Sequence, residues 1–153
     1  MLFRTHIIFS ISFFLALSFI LDMPLFVLAF VILGAAFVDI DERTSKIGKH
    51  WFLRPLQWLS KHRGVFHSLL LAVVLSLVVG LVNLWAGFGF FVGYISHLFI
   101  DCFTKSGVQL LWPLKFKIKG FVKSGGIVEM VFFVLLLLGN IFIVGKMIFD
   151  YLF

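Results

Sequence analysis

The sequence predicts an all-α, polytopic membrane protein of about five transmembrane or re-entrant helices, with candidate ligand side chains at their cytoplasmic ends. Three observations lead there. The 153 residues are 62% hydrophobic and only 13% charged, against about 25% charged in an ordinary soluble domain. A soluble body of this size keeps too much surface exposed to hide that apolar bulk, which includes 22 Phe and four Trp. The apolar residues also fall into runs, separated by a few short polar stretches.

The first run is Ile7 to Leu21 and the second is Leu25 to Val38. Pro24 between them suits the first turn of a helix. Fifteen helical residues reach about 22 Å, short of a hydrocarbon core of about 30 Å. The two runs therefore form a short hairpin, and a re-entrant pair that does not cross is the alternative. The third run, Val65 to Val82, and the fourth, Leu84 to Ile100, are separated only by the polar Asn83, which implies a tight turn. Gly89 and Gly93 lie four apart in the fourth run, a spacing that permits close helix contact. The last helix, from about Gly126 to Phe149, is the clearest span by length. No repeat or linker divides residues 1–153, so they form one membrane domain.

The net charge is +6, from 13 Lys and Arg against 7 Asp and Glu. These basic residues lie mostly in two loops, Asp39 to Arg63 and Asp101 to Ser124. That placement fits anionic lipid headgroups and membrane orientation, with no nucleic-acid partner expected. Trp51 to Leu59 reads as an interfacial segment. The positive-inside rule puts both loops in the cytoplasm. The first apolar run lacks a processing site after it, so it reads as a retained helix. Cys102 is the one cysteine, so no intrachain disulfide forms.

This topology brings the ionisable residues to one depth. His6 starts the first run, and Asp39 and Asp41 end the second. His62 and His67 flank the start of the third, and His97 and Asp101 end the fourth. His97 and Asp101 are four apart and share a helix face. They read as two metal ligands or as a histidine steered by a carboxylate, with a buried structural pair as the plainer alternative. In His62-Arg63-Gly64-Val65-Phe66-His67-Ser68, both histidines can face one site. Arg63 can fork across two phosphate oxygens, and Ser68 can orient a ligand or bind substrate. Interface anchoring is the alternative there. Asp39 and Asp41 supply carboxylates which, with imidazoles, suit zinc, manganese or iron. Glu129 is open between ligand, supporting acid and partner of Lys123. Asn83 reads as a turn residue and His50 as outside the site.

The order His6, Asp39-x-Asp41, His62-Arg63-Gly64-x-Phe66-His67-Ser68, His97-x-x-x-Asp101, then Thr104, Gly107 and Pro113, resembles the YdjM-like family of inner-membrane, metal-dependent hydrolases. The resemblance covers roughly residues 1 to 113. It departs at Val38, where many relatives carry Pro before the first Asp. It implies a metal site of His6, Asp39, Asp41, His62, His67, His97 and Asp101. A more distant likeness to zinc-type phospholipase C points to phosphoester hydrolysis. No zincin-type helical motif is present, which argues against a peptidase.

Seven ligands exceed the four of a single zinc site, so one or two ions are expected, zinc before manganese or iron. Asp39 or Asp101 would act as general base and Arg63 would bind the phosphate, with Ser68 beside them. Membrane lipids are the expected partners, an anionic headgroup among them as substrate. The other classes are a metal or ion transporter and a structural or partner-binding membrane protein with a metal staple. In the latter, Gly89 and Gly93 would allow a homo-oligomer contact.

Overall fold

The computed structural model describes residues 1–42, 48, 50, 51, 54, 57, 64–114 and 116–152. Among these residues five helices are traced from end to end: α1 (Phe3–Ser18), α2 (Val27–Phe37), α3 (Leu69–Gly80), α4 (Leu84–Cys102) and α5 (Ile127–Leu152). No strand occurs among them. The five apolar runs thus become five helices. Among the described residues, only α4, with 19 residues, and α5, with 26, are long and apolar enough to cross a membrane. The 16 residues of α1, the 11 of α2 and the 12 of α3 fall short of that length.

The helix ends follow local chemistry. The third run begins as a single 3-10 turn, Val65–His67, and the α-helix starts four residues later than the run. Ser68 makes that boundary: its Oγ accepts from Leu71 N at 3.2 Å, which satisfies one of the open N–H groups of α3. Asn83 does the same for α4, accepting from Ala86 N at 3.0 Å. The turn between α3 and α4 is therefore capped by its one polar residue. After α2 the chain tightens into a second 3-10 turn, Val38–Asp41.

Helix α4 is the central post, packed against α1, α2 and α3, while α5 packs on α1. The α2–α4 contact is backbone to backbone. A side-chain carbon on Gly93 would overlap the Val31 carbonyl, and one on Gly34 would overlap the Phe90 carbonyl. Gly89 meets Val27 in the same seam. The close contact that Gly89 and Gly93 permit is thus made inside the chain, against α2. Val27, Val31, Phe14, Leu15 and Val92 close one core cluster. Val38, Ala72, Phe90, Tyr94, Leu98 and Val108 close the other, beside the end of α4.

The connection from α4 to α5 folds back on itself. Val108 N and O bond Ile118 O and N at 2.8 and 3.0 Å, and Lys105 N bonds Val122 O at 2.9 Å. Leu69 N donates to Leu110 O at 2.8 Å, which ties this loop to the start of α3. The interfacial segment expected at Trp51 to Leu59 lies mostly outside the described residues. Within it, Trp51 is 82% exposed.

Candidate metal centre

Four segments deliver the ionisable side chains to one place. His6 comes from the first turns of α1, Asp39 and Asp41 from the turn after α2, His67 from the turn before α3, and His97 and Asp101 from the last turns of α4. His6, His67, His97, Asp41 and Asp101 are all buried. The His6 and His97 rings stack at 3.7 Å with 6° between their planes. The His67 ring meets His97 edge-on at 5.6 Å.

The nitrogen–oxygen separations are informative. His97 Nε2 lies 3.6 Å from Asp39 Oδ1 and 3.9 Å from Asp101 Oδ2. His67 Nε2 lies 3.6 Å from Asp101 Oδ2, and its Nδ1 lies 3.7 Å from Asp41 Oδ2. His6 Nε2 lies 3.5 Å from Asp101 Oδ1. All exceed the roughly 2.7–3.2 Å of a hydrogen bond. Ligands at about 2.0–2.1 Å from a tetrahedral ion sit about 3.3 Å from one another. The groups are therefore spaced as neighbouring ligands are. Two triads, His6–His97–Asp101 and Asp39–His67–His97, each offer ligand atoms within 4.8 Å of one another.

His97 is set in orientation. Its Nδ1 is 2.7 Å from the Ala35 carbonyl, a partner that can only accept. The ring proton therefore sits on Nδ1, and Nε2 presents a lone pair to the cluster. That Nε2 is buried with no hydrogen-bond partner among the described residues. A buried ring nitrogen left without a donor is costly unless a cation takes the lone pair. The donor set fits a divalent ion of the zinc, manganese or iron kind. Both triads draw on His97, whose one free lone pair serves one ion, so they are alternative seats for it. The carboxylate of Asp101 faces His6 with Oδ1 and both His67 and His97 with Oδ2.

Electrostatics agree with that reading. Burial pushes the Asp39 carboxyl above its usual range, His97 pulls it back, and Asp101 raises it further. Carboxylates crowded in a poorly solvated site hold protons unless positive charge enters. Asp39 is also the more accessible acid, its side chain 15% exposed against 2% for Asp101.

Neutral groups hold the ligands. Ser10 and Ser96 join α1 to α4 through a 2.6 Å hydroxyl contact, beside His6 and His97. Gln57 Nε2 donates to Ile40 O at 2.9 Å, which fixes the peptide between Asp39 and Asp41. Tyr94 Oη donates to Phe66 O at 2.5 Å, next to His67. Thr104 Oγ1 donates to Asp101 O at 2.8 Å.

The structure brings His6, Asp39, Asp41, His67, His97 and Asp101 together. His62 and Arg63 lie outside the described residues. Ser68 Oγ donates to Val65 O at 2.6 Å while capping α3. His50 is exposed. Glu129 is buried and accepts from Leu2 N at 2.5 Å and Gly125 N at 2.6 Å, so it pins the start of α1 to the start of α5. Sequence reasoning missed Gln57 and the Ser10–Ser96 pair as supports. A hydroxyl four residues from His6 and another next to His97, both inside apolar runs, were the available signal. The Ala35 carbonyl left none, because any residue supplies one.

Comparison with known proteins gives consistent relatives. The family described as YdjM inner membrane protein matches residues 1–149. The chain is 34% identical over 98 residues to the inner membrane protein YdjM of Escherichia coli (strain K12), covering 58% of this chain and 50% of that protein. The YdjM protein of Shigella flexneri matches with the same identity and coverage. The match thus spans about half the length of these two curated relatives. The protein YvsG of Bacillus subtilis (strain 168) is 28% identical over 114 residues, 69% of this chain and 70% of that protein. No solved structure matches the chain.

Proposed function

The chain belongs to the YdjM inner membrane protein family, and on that premise we propose that it is a metal-dependent hydrolase acting on a lipid phosphoester at the membrane interface. One observation carries the reading: His97, its Nδ1 held by the Ala35 carbonyl, turns a buried lone pair toward Asp39 and Asp101 at ligand spacing. His6 and His67 complete the imidazole set, and Asp41 stands behind His67. Zinc is the ion that His and Asp donors favour here, with manganese or iron as the other choices.

When bound, such an ion supplies positive charge for a phosphoryl oxygen and acidifies water. The chain's own residues do the rest. Asp39, at the accessible rim, takes the proton of the attacking water as general base. Asp101, buried among three histidines, completes the ligand set with them. Arg63 binds the phosphate in this scheme, and the cytoplasmic face follows from the basic loops.

Elemental analysis of protein purified in detergent without chelator tests the reading, together with phosphate release from phospholipids and isoprenoid phosphates. The expected result is at least one transition metal per chain and hydrolysis of one lipid class, both lost in His97→Ala. A wild-type protein without transition metal would overturn it.

A further inference from the structure

The buried cluster holds more candidate ligands than one ion takes, and the geometry of its rings sorts them. An imidazole binds an ion through a nitrogen lone pair, in the plane of its own ring, at about 2.0–2.1 Å. Its ring centre then stands about 3.2 Å from the ion, and two imidazoles at a tetrahedral angle have centres about 5.2 Å apart. The His67 and His97 rings match that arrangement, with centres 5.6 Å apart and planes crossing at 78°. The His6 and His97 rings do not: their centres are 3.7 Å apart and their planes lie 6° from parallel. Parallel planes do not meet, so no single position lies along both lone pairs. An ion midway between the two rings would stand about 1.8 Å out of each plane, roughly 60° off either lone pair.

We propose that the resident ion takes the Asp39–His67–His97 seat, and that His6 is a positioning residue and not one of its ligands. The separations around His67 and His97 support this. Asp39 Oδ1 is 3.6 Å from His97 Nε2, and the three residues bring ligand atoms within 4.8 Å of one another. His67 Nδ1 faces Asp41 Oδ2 at 3.7 Å. A carboxylate in that place steers a metal-bound histidine from behind, so Nε2 is the nitrogen turned inward. Asp101 Oδ2 stands at the edge of the same seat, 3.6 Å from His67 Nε2 and 3.9 Å from His97 Nε2.

His6 acts on two of these groups from outside. Its ring covers one face of the His97 ring, and its Nε2 lies 3.5 Å from Asp101 Oδ1, the oxygen that does not face His67 and His97. The Met1 amine nitrogen is 3.0 Å from that same oxygen. The 2.6 Å contact between Ser10 and Ser96 joins α1 to α4 beside the stacked rings. Both rings are buried, so His97 cannot swing its Nε2 off the seat without displacing His6. The assignment rests on the metal-dependent reading of the site, and its test needs no turnover.

The test strips the full chain of metal in detergent and returns less than one equivalent of zinc, so that the tightest seat fills first. X-ray absorption at the zinc edge then counts the bound imidazoles through their outer-shell scattering. Two per zinc is the expected count. Three would overturn the inference and leave the metal reading standing, whereas a wild-type chain that retains no zinc overturns both. Variants add a second measurement. His6→Phe keeps a ring on the His97 face but cannot bind an ion. It should hold one zinc per chain with the same two-imidazole signal, its affinity lowered by no more than about 100-fold. His6→Ala, which removes the stack, should bind zinc more weakly than His6→Phe. His6→Phe binding no tighter than His6→Ala overturns the positioning role. The wild-type imidazole count decides even where a variant does not fold.

Discussion

His97 is the residue on which the site turns. Its backbone partner fixes one nitrogen and so dedicates the other, a choice that a side-chain partner could lose by rotating. His97→Ala should abolish stoichiometric metal retention, read by elemental analysis after gel filtration. Gln57→Leu should do less. It frees the Ile40 carbonyl and loosens the Asp39–Asp41 turn, and a supporting contact of this kind is worth roughly 10- to 100-fold in metal affinity. Acid should also release the ion. Burial raises the proton affinity of Asp39, so its carboxylate is lost at higher pH than an ordinary one as pH falls. Protons then compete for the ligand set, and a titration from about pH 7.5 to 5 should show affinity falling throughout.

At the scale of elements, the site depends on how closely α2 approaches α4. Asp39 and Asp41 hang from the end of α2, and His97 and Asp101 from the end of α4. The seam between the two helices admits no side chain at Gly93. Gly93→Ala should therefore destabilise the protein by about 1–3 kcal/mol, as overpacking does. It should also weaken metal retention, because the helices must part. Thermal unfolding in detergent, with and without added zinc, checks both effects. The helices themselves were readable as apolar runs, and Asn83 was readable as the turn. The delayed start of α3 was not, because Val65 to His67 is as apolar in pattern as the helix that follows. Its boundary is set by the Ser68 hydroxyl, a residue first noticed for chemistry.

At the scale of the molecule, the sequence showed that ligands would meet but not how the chain would close around them. The i, i+4 spacing of His97 and Asp101 was local and visible. The stacking of His6 on His97 joins two distant helices and left no trace in either run. Glu129 was left open because its partners are backbone groups. Helix α5 is the most exposed element, with Leu138 58% and Ile141 61% exposed. Its face is covered by lipid in the membrane. Ile141→Lys should cost about 2.5–3.5 kcal/mol of insertion at the middle of that helix, seen as a smaller carbonate-resistant membrane fraction.

The Glu129 contact also sets an order of events. It joins residues 127 apart, and Asn140 of α5 reaches the Ile8 carbonyl of α1 at 3.2 Å. Helix α1 is made before α5, yet its seat exists only after α5 has been made. At about 5–20 residues per second, that interval is on the order of ten seconds on the ribosome. Through it, His6 waits in a helix that α5 has not yet pinned. The centre is finished only once α5 is in place.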